Sequence, residues 1–77
     1  MIDYKTHIEA NPEIMFGKPC IKGTRVPVDL ILEKLGWGET IEDLLDAYPR
    51  IDKDDIMACL LYAVHYLRND EILSLAA

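Results

Sequence analysis

The sequence predicts a mainly α fold, in which short N-terminal β-strands precede a bundle of three helices. Three observations carry this. Apolar residues recur at helical spacing from Val28 to Leu67. Alternation and closely set glycines and prolines crowd the first 27 residues. Thr40, Pro49 and Asp52 then mark the ends of helices. With 77 residues, the chain has room for one core. We divide it into a β-arm over 1–26, a helical core over 27–68 and a tail over 69–77.

Tyr4, Thr6 and Ile8 alternate with Lys5 and His7, which predicts a strand over 4–8 with one buried face. Asn11-Pro12 marks a turn. Gly17, Pro19 and Gly23 punctuate the next stretch, and Pro19 limits a strand around Cys20 and Ile21 to a sheet edge. The two strands have each other or a second chain to pair with. The first helix follows Pro27, with Val28, Ile31, Leu32 and Leu35 as its apolar stripe and Gly36 and Gly38 as its stop. Trp37 between those glycines is expected to cap the core, with protrusion as a contact as its alternative.

Thr40 with Asp43 three residues later predicts a capping box, and Ile41, Leu44, Leu45 and Tyr48 form the second stripe. Asp52 is expected to cap the third helix, with Asp54 and Asp55 favoured by the dipole in its first turn. The apolar set of that helix is Ile56, Leu60, Ala63, Val64 and Leu67. A second set, Met57, Cys59, Leu61, Tyr62 and Tyr66, occupies other faces. A helix apolar nearly all round asks for cover on several sides, which points to a dimer or a partner chain. The short connection around Pro49 is compatible with a helix-turn-helix.

Composition sets limits. Hydrophobic residues make up 51% and charged residues 29%, too apolar for a disordered chain. No apolar run reaches the length of a membrane span, and Met1–Lys5 lacks a signal-peptide pattern. Cys20 and Cys59 lack metal-type spacing and fit a reduced cytoplasmic protein. The net charge of −6 argues against nucleic acid, but it is unevenly distributed. Residues 1–27 carry net +1, whereas residues 28–77 carry −7.

The stretch Gly17-Lys18-Pro19-Cys20-Ile21-Lys22-Gly23-Thr24-Arg25-Val26-Pro27-Val28 resembles the signature of the bacterial and archaeal family called domain of unknown function 433. Leu44–Pro49 and Asp55–Ala63 resemble the same family. The resemblance implies a homeodomain-like helix-turn-helix core. It also implies an antitoxin that neutralises a PIN-like ribonuclease toxin and binds its own operator DNA. The third helix departs from the family's pattern. It opens after Asp52 where Thr or Ser is usual, and carries Met57 where a basic or amide residue is frequent. Cys59 also stands where Ala is usual.

Candidate DNA contacts are Lys18, Lys22, Thr24 and Arg25, with Lys53 at the start of the third helix. Lysine meets phosphate as a point charge, while arginine grips a phosphate or a guanine with two N–H groups. The structural alternative has the glycines setting a turn and Arg25 paired with Asp29 or Glu33. Candidate partner contacts are Leu61, Tyr62 and Tyr66, and Ile72, Leu73 and Leu75 in the tail; Tyr62 and Tyr66 have covering the first helix as their alternative. Asp52, Asp54 and Asp55 read as caps in preference to metal ligands. No catalytic pairing, metal spacing or phosphate-cradling loop stands out, so the sequence points to a binding protein without a cofactor. A protein-interaction module without DNA binding is the competing function.

Overall fold

The computed structural model describes residues 2–69. Asp3 opens the described chain as a helix cap. Its carboxylate accepts from Lys5 N–H at 3.0 Å, and Thr6 Oγ1 donates to its carbonyl at 2.9 Å. Tyr4–Thr6 is thereby a 3-10 turn, and the strand is displaced from the expected 4–8 to β1, Ile8–Ala10. The local cap outcompetes the alternation, as short side-chain-to-backbone bonds do. β2, Pro19–Ile21, pairs antiparallel with β1 in the register Ile8↔Ile21, Glu9↔Cys20 and Ala10↔Pro19. The strands therefore pair with each other. Between them, Met15, Phe16 and Gly17 have successive positive φ values of 51°, 58° and 81°. For the two non-glycine residues this left-handed backbone costs about 1–2 kcal/mol each.

Helix α1, Val28–Gly36, begins directly after Pro27. Val28 and Ile31 are its buried positions. It stops as Gly38 takes φ 96° and donates to Leu35 O at 3.0 Å. Trp37 departs from expectation. It is 73% exposed, because the glycine turn directs it away from the core. Helix α2, Ile41–Ala47, carries the expected box. Asp43 N–H donates to Thr40 Oγ1 at 3.1 Å, and Thr40 N–H donates to Asp43 Oδ2 at 2.9 Å. Accepting the Thr40 backbone N–H, and then bonding the hydroxyl, hold the Asp43 carboxyl below the usual carboxylate range.

Helix α3, Lys53–Asn69, starts with a second reciprocal box. Asp55 N–H donates to Asp52 Oδ1 at 2.9 Å, and Asp52 N–H to Asp55 Oδ2 at 3.0 Å. The other oxygen of Asp55 meets His7 Nδ1 at 2.7 Å, tying the end of the arm to the head of α3. Asp52 and Asp55 are thus committed to capping, as the sequence indicates.

The core joins β2, all three helices and the loop before α3 through Ile21, Val28, Ile31, Leu44, Ile51, Ile56 and Cys59. The buried side of α3 differs from the expected stripe. Ile56, Ala58 and Cys59 are buried, whereas Leu60, Val64 and Leu67 are exposed. Hydrophobicity on all sides of a helix does not reveal its inward face. Packing of α1 on one side and of the Tyr4–Thr6 turn on the other decides it, with Tyr4 set edge-on to Tyr62 at 5.8 Å between ring centres.

Candidate nucleic-acid interface

The basic segment is built on a tight turn. Ile21 O accepts from Thr24 N–H at 3.0 Å, and Gly23 has φ 79°. A residue with a Cβ is disfavoured there, so glycine at this position lets the chain reverse. Thr24 Oγ1 donates to Ile21 O at 2.7 Å and accepts from Val26 N–H at 3.1 Å. Thr24, a predicted DNA contact, thus also closes the turn through its hydroxyl. The turn leaves Lys22 and Arg25 exposed on either side of it.

Arg25 does not pair with Asp29 or Glu33. Asp29 instead accepts from Lys18 Nζ at 2.9 Å, in an exposed ion pair. The Asp29 bond, and then its charge, raise the Lys18 pKa above the ordinary lysine value. Lys18 thus has an anionic neighbour within the chain, whereas Arg25 has none among the described residues. Arg25 lines a depression with Gly23, Thr24, Glu9, Ile14 and Arg50. Among the described residues, neither arginine forms an ion pair.

Arg50 is the residue that sequence reasoning missed as a site. Its only signal is its place after Pro49, in the short connection between α2 and α3. The fold brings that connection to the edge of the Ile21–Thr24 turn, and Arg50 beside Arg25, 25 positions back in sequence. Lys53, exposed at the first position of α3, follows three residues later. Two guanidinium groups, together with turn backbone held by glycine, can grip phosphate oxygens through several N–H donors. Glu9 also lines the depression and adds a negative charge there.

The partner candidates separate onto two sides of α3. Tyr62 and Tyr66 border an apolar groove with Pro19, Val28, Leu32 and Leu67, and Lys18 and Asp29 stand at its rim. Tyr62 packs partly on the core, while Tyr66 is 54% exposed. Leu61 faces a second depression, with Ile2, Tyr4, Val64 and Arg68. Ile72, Leu73 and Leu75 lie outside the described residues.

Both thiols are free and buried. Burial, and secondarily the nearby Asp55 charge, push Cys59 up to about 12. Burial also raises Cys20. Neither thiol is poised as a nucleophile.

A glycine-closed basic turn on a three-helix core defines the class: a small helical domain with a two-stranded arm. The family model of the protein of unknown function DUF433 matches residues 8–63, and the chain belongs to that family. It is 34% identical over 56 residues to the uncharacterized protein y4eO of Sinorhizobium fredii. That match covers 73% of this chain and 25% of the relative. The crystal structure of a DUF433 member protein from Anabaena variabilis superposes with a TM-score of 0.71 at 28% identity. It covers 82% of this chain and 59% of that one. The chain thus spans a quarter of the one relative and about three fifths of the other. Among the described residues, no helix is long and apolar enough to cross a membrane.

Proposed function

We propose that this domain is an antitoxin-like regulator that binds operator DNA as a dimer and neutralises a PIN-like ribonuclease toxin. The observation that carries the DNA reading is the depression that Arg25 and Arg50 line together with Gly23 and Thr24. Lys22, Arg25, Arg50 and Lys53 contact phosphate in this reading. Lys18, held by Asp29, contributes less, and Thr24 acts by shaping the turn. The connection between α2 and α3 is the turn of a helix-turn-helix, and the arm brings extra charge to it. Toxin binding falls to the Leu61 side of α3, where the exposed Leu61 and Val64 stand beside Ile2 and Tyr4. A ribonuclease must present a positive cleft to its substrate, which suits the −7 balance of residues 28–77. Free, buried thiols are in keeping with a cytoplasmic setting. The inert thiols and the open basic surface favour binding over catalysis.

A competing reading, an interaction module without DNA binding, draws on Asp52, Asp54 and Asp55 at the start of α3. In a helix-turn-helix this turn approaches the duplex, and carboxylates there repel phosphate. Co-purification with the product of the adjacent gene, paired with a mobility-shift assay on the promoter, separates the two. The antitoxin reading expects both to be positive. Toxin capture without a shift selects the interaction module, and failure of both contradicts the proposal.

A further inference from the structure

Phe16 is the most exposed aromatic side chain of the described residues, and they leave its ring fully open to solvent. Such a ring adds little to the stability of the fold, because folding removes little of it from water. The backbone beneath it is nonetheless closely defined. Met15, Phe16 and Gly17 take successive left-handed conformations. Ile14 N–H donates to Asn11 O, Gly17 N–H to Ile14 O and Lys18 N–H to Met15 O, at 2.9, 3.1 and 3.1 Å. Left-handed residues other than glycine concentrate at binding sites, where the surrounding structure holds them in place.

This loop borders the basic depression. Ile14, whose carbonyl closes the loop on Gly17, lines that depression with Arg25, Arg50 and Glu9. Phe16 follows two residues later, within about 7 Å of chain. Both arginines are exposed, and among the described residues neither forms an ion pair. Two cations against the one carboxylate of Glu9 leave the depression a net charge of +1. A bare aromatic ring beside unpaired guanidinium groups matches a ligand that alternates flat rings with phosphates, and nucleic acid is such a ligand. An apolar protein pocket would accept the ring but gives the two arginines beside it no role.

We propose that Phe16 inserts into a base step of the DNA duplex whose phosphates meet Arg25 and Arg50. The inference rests on the DNA reading above and adds to it a contact with the bases. A minor groove is about 6 Å wide, so a strand seated on the arginines brings the groove within reach of the loop. Apolar wedges of this kind partly unstack the step they enter and bend the duplex. Flexible pyrimidine–purine steps open most easily, so the wedge supplies a sequence preference that does not depend on the acidic head of α3.

The test is fluorescence anisotropy on a duplex from the protein's own promoter, comparing the full chain with Phe16→Ala. Circular dichroism and thermal melting check that the variant folds. Phe16→Ala is expected to bind about 10-fold more weakly or worse. Its salt slope is expected to match the wild type, because the lost ring carries no charge. A second variant reads the contact directly. The chain has one tryptophan, so Phe16→Trp in a Trp37→Phe background leaves the only indole at position 16. That variant should bind like the wild type, and the duplex should quench its emission as the indole stacks on a base. A folded Phe16→Ala with full affinity, or an indole emission unchanged by saturating duplex, overturns the insertion and leaves the DNA reading in place. A Phe16→Ala that binds the duplex normally but no longer captures the product of the adjacent gene assigns the ring to a protein partner and also overturns the insertion. A wild type that binds no duplex at low salt overturns the insertion together with the reading it rests on.

Discussion

Cys59 has no exposed surface, and Asp55, one turn earlier on α3, adds negative charge near its sulfur. Both disfavour the thiolate, the form that reacts. Cys20, on β2, is also almost fully buried. Neither thiol should react with an aromatic disulfide reagent at pH 8 in the folded protein, and both should react at once in denaturant. Fast modification of Cys59 in the folded state would contradict the core described here. The chemistry of single residues was only partly legible in sequence. Basic side chains could be counted in Lys18–Arg25, but not sorted. Asp29 pairs with Lys18, the turn engages Thr24, and Arg25 shares a depression with Arg50 from a distant loop. All three outcomes depend on side chains brought together by the fold.

At the scale of elements, end signals read more clearly than faces. The Thr40 and Asp52 caps form as their spacing indicates, because a cap involves only four consecutive residues. The strand expected over 4–8 was displaced by another local signal, the Asp3 cap, which alternation alone does not weigh. The inward face of α3 was not legible, since apolar side chains surround the helix and tertiary packing selects among them. Asp52→Ala removes one half of a box, and should cost about 1 kcal/mol. In a domain of this size that lowers Tm by about 4–8 °C. Asp55→Ala should cost more, because it also releases His7 and loosens the arm from α3. Thermal melts of the two variants check the order. Equal losses would mean that the His7 contact adds nothing.

For the whole molecule, charge organises the account. The mildly basic first third folds into the arm, and its turn lines a depression together with Arg50 of the acidic helical part. The net −6 is therefore an average over a mildly basic first third and an acidic remainder. The acidic head of α3 is an obstacle to conventional recognition-helix contacts, so under the proposed function the arm and the Arg50 loop would carry the affinity. The most direct measurement is the salt dependence of binding to a duplex from the protein's own promoter, read by fluorescence anisotropy. The wild type should bind with an affinity that falls steeply between about 50 and 200 mM salt. Arg25→Glu with Arg50→Glu should remain folded, lose most of that affinity and lower the slope by about two per protomer. A wild type that binds no DNA at low salt, or a folded double variant with unchanged affinity and slope, would contradict the account.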